Sequence, residues 1–436
     1  MSGWIPWTRT ARWGIVLSAC VPSCSGPEIG DPWLTAGSGA STGGGGDSTG
    51  TSAGSGTGSG GGTAASTSTT GGGSGGTTGA GSAGSGGDTG GTGVPANVFG
   101  IGLSDPGDAG KLDKAAYLVG PGGGVRLTFA GIDRTMTDAP QAWKDAVALA
   151  YERDLVPILR LGPPWGDRRV RNQSDDGAYL SYQQLAAAYA AVVSSLPLRD
   201  GWPIYVEVHN EPNLCYEWAC DPGDGNDGWM GYEQIAAEYA HMLEDVAGAL
   251  HGLGDPRIRV TNAGLAPGGA ISCECGGDGF QAGITSAEFI TAMKAAVPAF
   301  PSFLDAWASH PYPAEGLGWG FFVSYEAPDW KGETGLRYYE HELDALGIDL
   351  PVVVTETGWT VDMGKGGPGD RAKVAAWMKN AYERVFLADD RIVTVLPFLL
   401  QDPNWDDFAW VDPGGASYPV YDVVRDYRCQ IGMPPC

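Results

Sequence analysis

Positive charge is scarce in this sequence. Its 436 residues include 26 lysines and arginines against 51 aspartates and glutamates, and the formal net charge is −25. Such an acidic surface repels phosphate backbones and anionic lipid headgroups, so we expect no nucleic-acid partner. The charge is compatible with neutral ligands. Long apolar runs are lacking too, and no segment approaches the roughly 20 residues that a membrane-spanning helix needs.

Phosphate-binding motifs are also missing. No Gly-x-Gly-x-x-Gly or P-loop pattern follows the first predicted strand, which argues against an open, doubly wound nucleotide-binding sheet. The glycine runs that do occur lie between Thr35 and Gly93, where no strand precedes them and no helix follows. They are therefore not phosphate loops.

The first 20 residues are typical of an export signal. Arg9 and Arg12 precede a short apolar run that ends in small residues. Leu17-Ser18-Ala19-Cys20 resembles the lipobox of bacterial lipoproteins, in which the cysteine is lipidated. The next residue is Val21 rather than the aspartate associated with inner-membrane retention, so the resemblance implies a lipoprotein of the outer membrane or cell surface, lipidated at Cys20. Plain secretion and an unprocessed N terminus are the alternatives.

Residues 21–93 form a predicted linker. From about Thr35 onward the segment is almost entirely Gly, Ser, Thr and Ala. It cannot bury enough apolar surface to offset chain entropy, so we expect disorder. Residues 94–436 are rich in Trp, Tyr, Val and Leu, and their length falls in the range of α/β barrels.

Cysteines in residues 94–436 indicate disulfides, because the domain is predicted to be exported. The pair Cys429–Cys436 would staple the C-terminal tail. The other four lie in two loops that we expect to be neighbours, and they could pair within or between the loops. Zinc binding is disfavoured because no histidine lies close to them in sequence. These four are Cys215, Cys220, Cys273 and Cys275.

Strand-like and helix-like segments alternate along residues 94–436, which predicts an α/β fold, a (β/α)8 TIM barrel. The predicted strands are short and β-branched, as buried parallel strands tend to be. They are residues 97–103, 123–128, 155–161, 204–210, 257–263, 305–310, 351–356 and 392–399.

Helix boundaries are predicted from capping signals. Ser181 and Gln184 have the spacing of a capping box before a helix with Leu185 and Tyr189 on one face. Gly252 should end the helix that carries Ile235 to Leu250 on one face, and Asp370 should cap the helix that carries Val374 and Trp377.

Two glutamates end predicted strands, at the rim where TIM barrels carry their chemistry. Glu211 ends the fourth strand and Glu356 ends the seventh. A retaining glycosidase needs two carboxyl groups about 5–5.5 Å apart, one to attack the anomeric carbon and one to exchange protons. Strands distant in sequence can hold two carboxyl groups at that separation across a barrel rim.

Three motifs resemble those of clan A glycoside hydrolases, most closely families 5 and 39. They are Asn-Glu-Pro at 210–212, Trp-Ala-Ser-His-Pro-Tyr at 307–312 and Glu-Thr-Gly-Trp at 356–359. The resemblance covers nearly all of residues 97–428. It implies retaining hydrolysis of a β-linked glycan without a cofactor, with Glu211 as acid/base and Glu356 as nucleophile.

The resemblance also implies substrate-site roles for other residues. Asn210 matches the asparagine that bonds the sugar 2-hydroxyl, and Arg126 an arginine that pairs with the nucleophile. Tyr312 matches a tyrosine that holds the nucleophile. His310 matches a pocket histidine, with a satisfied core histidine as the alternative. Trp405 stands loosely where the family has an aromatic floor.

Other charged residues are interpreted as structural. Glu207 shares a strand face with Glu211 and should lie lower in the barrel, as a partner of Arg126 or Arg160. The acidic loop 221–228 misses the EF-hand spacing, so a solvated loop is favoured over a calcium site.

Tryptophans cluster after the third, fourth, sixth and seventh strands, where a glycan would lie across the rim. We expect about half of them, including Trp165 and Trp359, to bind substrate. Their number favours a polysaccharide cleft and internal cleavage over a pocket for small glycosides. They are Trp165, Trp218, Trp229, Trp319, Trp330 and Trp359.

Two rival functions remain open at this point. A transglycosylase would use the same glutamates with a sugar hydroxyl in place of water. A surface carbohydrate-binding protein would keep the barrel without catalysis, although the intact glutamates, Asn210 and Tyr312 disfavour it. We expect a monomer, and the sequence leaves the identity of the sugar and its linkage open.

Overall fold

The computed structural model describes residues 94, 96–163, 170–218, 231–266, 270–273, 280–313, 335–365 and 367–436. Several predictions concern residues outside these ranges. They are the signal with Cys20, the linker, Cys220, Cys275, the loop 221–228, and Trp165, Trp229, Trp319 and Trp330.

Parallel strands appear at all eight predicted positions. Each is short and almost completely buried, because helices cover its outer side and the barrel core fills its inner side. In chain order they are β1 (Gly100–Leu103), β2 (Gly124–Ala130), β3 (Val156–Gly162), β4 (Ile204–Val208), β5 (Ile258–Thr261), β6 (Trp307–Ser309), β7 (Val352–Val354) and β8 (Ile392–Val395).

These strands form a closed ring. β1 to β5 pair in chain order as one sheet, and β6, β7 and β8 pair as another. Two parallel bridges, Thr261–Ala306 and Phe99–Val395, join the sheets at both sides. The predicted TIM barrel is therefore confirmed, and the open doubly wound alternative is wrong.

Helices alternate with the strands, and neighbours such as α3 and α5 or α8 and α9 pack side by side. In the described ranges they are α1 (Ala109–Val119), α2 (Gln141–Glu152), α3 (Gln183–Ser194), α4 (Cys215–Trp218), α5 (Tyr232–His251), α6 (Ser286–Ala296), α7 (Tyr338–Leu346), α8 (Arg371–Arg384) and α9 (Pro419–Gln430). None of these helices combines the length and apolar character that a bilayer crossing requires.

Two of the three predicted helix signals are confirmed. Asp370 caps α8 by accepting the N–H of Ala372 at 2.8 Å, and Gly252 is the C-cap of α5. The capping box at the start of α3 is wrong. A loop carboxylate, Asp175, accepts the Gln184 N–H at 3.1 Å, so the free N–H group has a partner that lies outside the local motif.

An antiparallel hairpin, Ala270–Cys273 with Phe280–Ile284, follows β5 and was not predicted. Its first strand and α4 are neighbours, as expected for the two segments that carry cysteines.

A disulfide and the hydrogen bonds of a buried arginine attach the C-terminal tail. Cys429 and Cys436 form the predicted disulfide. Arg428 is fully buried, and its guanidinium donates to the carbonyls of Leu118 in α1 at 2.9 Å and of Pro435 in the tail at 2.6 Å. Since carbonyl oxygens satisfy the buried cation, the tail and α1 are held together.

We expect Cys429→Ser to lower the free energy of unfolding by about 2.5 kcal/mol, from the chain entropy of so short a loop. Urea denaturation would measure the loss. Cys436→Ser should match it, and the double variant should lose nothing further. A larger loss in the double variant would show that the cysteines act independently.

Candidate active site

The two glutamates that the sequence singled out meet above the barrel. One carboxylate oxygen of Glu211 and one of Glu356 lie within 4.8 Å of each other and of a ring nitrogen of His310. Glu211 follows β4, His310 directly follows β6 and Glu356 follows β7. Barrel closure therefore brings together side chains from three strands at the carboxyl-terminal rim.

The backbone that presents Glu211 is left-handed at two positions. His209 has a φ of 80° and Glu211 a φ of 37°. Such conformations cost about 1–3 kcal/mol for a non-glycine residue and persist only where neighbours enforce them. The Glu211 N–H donates to the Gly264 carbonyl at 3.1 Å, and the Asn213 amide exchanges two hydrogen bonds with the backbone of Ala266, at 2.9 and 3.0 Å.

Arg126 of β2 is the hub of the site. Its buried guanidinium donates to Glu207 at 2.7 Å, to Glu356 at 2.7 Å and to Asn210 at 3.0 Å. Burial opposes the charge, but the two carboxylates raise the pKa of Arg126 above its usual range. The predicted pairing of Arg126 with Glu356 is therefore present, and Arg126 is also the partner of Glu207.

Glu356 is held as a carboxylate. Tyr312 donates its hydroxyl to Oε2 at 2.9 Å, and Arg126 donates to Oε1. Burial alone would raise the pKa of Glu356, but the charges of His310 and Arg126 and the Tyr312 hydrogen bond lower it in net. Burial and the nearby carboxylates raise the pKa of Tyr312 well above its usual value, so its hydroxyl remains a donor.

His310 is 1% exposed and lies among three carboxylates. Its Nδ1 is 3.0 Å from Glu211 and 4.0 Å from Glu356, and its Nε2 is 3.5 Å from Glu207. Burial lowers its pKa, but Glu356, Glu207 and Glu211 together raise it to about 10. The three carboxylates therefore favour the protonated ring.

Glu207 is a member of the site that the sequence placed only as a structural partner. It is fully buried, and although burial would raise the pKa of its carboxyl, Arg126 and His310 lower it to about 2. Arg160, its neighbour across β3 and β4, instead lies 3.8 Å from Glu217. Strand alternation predicts that Glu207 faces the barrel interior. It does not predict the contact of Glu207 with His310, because that contact joins β4 to the end of β6 across the barrel.

Two of the predicted rim tryptophans belong to the core. Trp359 is 3% exposed and its ring lies 5.7 Å from that of Trp377 in α8. Trp218 is fully buried, packs against Tyr239 and donates its indole N–H to Glu238 at 3.0 Å. The burial of Trp359 contradicts the prediction that its ring binds substrate, whereas Trp218 is one of the cluster for which no substrate contact was predicted.

Trp405 does lie at the surface, 38% exposed. Its ring packs edge-on against Phe398 at 5.7 Å and Phe408 at 6.2 Å, and Phe408 in turn lies 6.5 Å from Tyr312. Phe398 was missed, although its place just after β8 is a rim position. Edge-on ring contacts thus run from Tyr312 through the buried Phe408 to Trp405 at the surface, where the Lys365 ammonium lies 5.1 Å from the centre of the Trp405 ring.

A metal ion could in principle use Glu211, His310 and Glu356, the one group of described residues dense enough for it. The charges at the site disfavour this. A protonated imidazole has no lone pair to offer, and the Arg126 guanidinium already lies 2.7 Å from Glu356. The arrangement is suited to moving protons and holding an anionic nucleophile.

Solved structures with a similar fold include the GH39 enzyme from Xanthomonas axonopodis pv. citri. Its TM-score is 0.50 at 15% identity, with 77% of this chain and 68% of that one covered. A family 39 glycoside hydrolase from the gut symbiont Bacteroides cellulosilyticus WH2 has a TM-score of 0.46 at 16% identity over 77% of this chain, which spans 63% of its length. A GH128 (subgroup II) endo-beta-1,3-glucanase from Sorangium cellulosum has 0.44 at 13% identity, covering 78% and 98%.

No protein-family model matches the chain, and no curated protein matches its sequence. At such low identity the structural likeness shows the fold alone. The described chain has the barrel fold of clan A glycoside hydrolases, as its three motifs implied.

Gly264 should not tolerate a side chain. A Cβ there would overlap the His310 imidazole, with Cγ only 2.8 Å away. We expect Gly264→Ala to displace the ring and to lower the free energy of unfolding by about 1–3 kcal/mol, as overpacking does. Urea denaturation measures the change.

The matched control is Gly248→Ala in α5, where a Cβ meets nothing within 4 Å. That substitution should raise the free energy of unfolding by about 0.5–1 kcal/mol, because alanine is the better helix former. Equal stabilisation by both alanines would show that the His310 ring has room to spare.

Proposed function

We propose that this protein is a retaining glycoside hydrolase that cleaves a β-linked glycan, with Glu356 as nucleophile and Glu211 as acid/base. The observation that carries the proposal is the close approach of the two carboxylates, with oxygens within 4.8 Å. Retaining enzymes hold their carboxyl groups about 5–5.5 Å apart, whereas inverting enzymes leave about 6.5–9.5 Å for a water molecule.

The different surroundings of the two glutamates support their different roles. Glu356 accepts from Arg126 and Tyr312, and its lowered pKa keeps it anionic, as a nucleophile must be. Glu211 instead faces Nδ1 of His310, at 3.0 Å from its Oε1. The nucleophile and the proton carrier are thus distinguished by their partners.

In the first step the Glu356 carboxylate attacks the anomeric carbon. The bond from that carbon to the leaving oxygen breaks, and the proton of Glu211 passes to that oxygen. Asn210 is held by Arg126, which donates to its Oδ1. Its amide N–H groups remain to bind the 2-hydroxyl, a contact that strengthens as the oxocarbenium-like state forms.

In the second step water attacks the same carbon and breaks the bond to Glu356. Glu211, now a carboxylate, takes the proton from that water, and both groups return to their starting states. No cofactor enters either step.

The substrate is proposed to be a polysaccharide or oligosaccharide cleaved internally. Within the described residues this rests on Trp405, whose partly exposed ring lies at the end of the ring contacts that begin at Tyr312 and suits a sugar face. We further propose that the enzyme is monomeric and acts outside the cell, anchored by a lipid on Cys20 or secreted.

The test is reducing-sugar release from a panel of β-glucans, mannans, xylans and galactans by the full chain. Glu356→Gln should lose at least roughly 10³-fold in kcat, because the nucleophile is gone, and Glu211→Gln roughly 10²–10⁴-fold. Proton NMR of the first product should show the β-anomer. The matched control, Glu152→Gln on the exposed end of α2, should retain full activity.

Other outcomes would replace the proposal. Equal release by Glu356→Gln would remove Glu356 as nucleophile, and an α-anomer as first product would contradict retention. Longer products without net reducing-sugar release would indicate transglycosylation. Binding to a glycan without any turnover would indicate a carbohydrate-binding protein.

A further inference from the structure

Glu207 is a buried carboxylate within the site that the two proposed steps leave unused. It lies at the bottom of the site on β4, fully buried. Its Oε2 accepts from Arg126 at 2.7 Å, and its Oε1 lies 3.3 Å from the Gly264 N–H and 3.5 Å from Nε2 of His310. One carboxylate thus contacts both cations of the site.

Each of those cations contacts a glutamate of the proposed reaction. Arg126 donates to Glu356 at 2.7 Å. His310 presents a single nitrogen, Nδ1, to both glutamates, at 3.0 Å from Glu211 and 4.0 Å from Glu356. Glu207 therefore lies behind both reacting groups, joined to each through one cation.

During the proposed reaction, negative charge moves from Glu356 to Glu211 within a cluster of three glutamates and two cations. Before attack, Glu207 and Glu356 are the anions, and Glu211 holds its proton. After attack, Glu356 is esterified, and Glu207 and Glu211 are the anions. The two cations balance two anions in both states. Without the charge of Glu207 the buried group would carry an unbalanced positive charge throughout, which is costly away from water.

We propose that Glu207 is a positioning residue that keeps His310 and Arg126 in place as charged partners, so that His310 supports the negative charge on either glutamate as it moves between them. This inference rests on the proposed function. Glu207 itself touches neither the sugar nor the reacting atoms.

The charges that face His310 come from every side. β4 contributes Glu207 and Glu211, and β7 contributes Glu356. Tyr312 is its neighbour in the chain, at a ring distance of 6.4 Å, and Glu342 of α7 acts on it from outside the barrel. Of the three carboxylates within 4.0 Å of the ring, Glu207 is the one that keeps its charge in both steps of the reaction.

The sign of the pH effect follows from these contacts. Glu356, Glu207 and Glu211 raise the pKa of His310 to about 10 against burial. While Glu211 holds its proton, Glu207 and Glu356 remain as the two carboxylates that favour the charged ring. Removing one carboxylate lowers that pKa. The ring then loses its proton at a lower pH, and the alkaline limit of activity moves down with it.

The experiment titrates the imidazoles of the full chain by NMR after ¹⁵N-histidine labelling. The chain has five histidines, and His310→Gln identifies the signal of interest. In the wild type that ring should be protonated on both nitrogens at pH 8. In Glu207→Gln it should lose a proton at a pH lower by about one unit or more. The same shift should appear in the alkaline limb of kcat/KM.

The matched control is Glu342→Gln, another fully buried glutamate, which accepts from Trp307 and Ser309 on the outer side of β6. Burial raises the pKa of Glu342, and its Oε2 accepts from Trp307 and Ser309 rather than from His310. Its replacement should shift the His310 titration by much less than Glu207→Gln does, whereas a generic effect of altering a buried glutamate would shift it equally in both variants.

Two results would overturn the inference. One is an unchanged His310 titration in Glu207→Gln. The other is a neutral His310 at pH 8 in the wild type, a measurement that does not depend on the folding of any variant. The titration uses no substrate. Failure of the proposed function would appear separately, as a wild type that hydrolyses nothing while His310 titrates as expected.

Discussion

The structure of the site depends on one buried guanidinium. Arg126 lies inside the barrel, where an unpaired cation would be costly, and it is satisfied by Glu207, Asn210 and Glu356. Glu207 lies on β4, Asn210 follows β4, and Glu356 follows β7, on a different side of the barrel. The same ion pairs that neutralise the cation therefore set the distance between the two candidate catalytic strands, so stability and chemistry share one constraint.

Hydrogen bonds fix the backbone that presents the two candidate catalytic glutamates. Left-handed backbone at His209 and Glu211 is held by hydrogen bonds to the segment that follows β5, through Gly264 and the Asn213–Ala266 pairing. Gly264 also lets His310 lie close against that backbone. Hydrogen bonds thereby stabilise the strained backbone after β4. The segments that follow β4, β5 and β6 hold one another in place at the rim.

Aromatic residues show where sequence reasoning fails. Trp218 and Trp359 lie in the segments that follow β4 and β7, yet both pack into the hydrophobic core. Trp405, with the loosest match to a motif, is the exposed one. Whether an indole faces solvent depends on the helices that cover the strand end, such as Trp377 of α8 against Trp359. No local pattern contains that information.

The sequence by itself determined the order of eight strands, the strand ends at which Glu211 and Glu356 stand, and the C-terminal disulfide, because each depends on short-range periodicity, motif or spacing. Only the tertiary structure decided that Glu207 contacts His310, that Asp175 accepts a hydrogen bond from the first turn of α3, and which tryptophans are buried. The Arg126–Glu356 contact joins residues 230 positions apart. Such contacts exist only once the ring of strands has closed, since closure alone brings the strand ends within hydrogen-bonding distance.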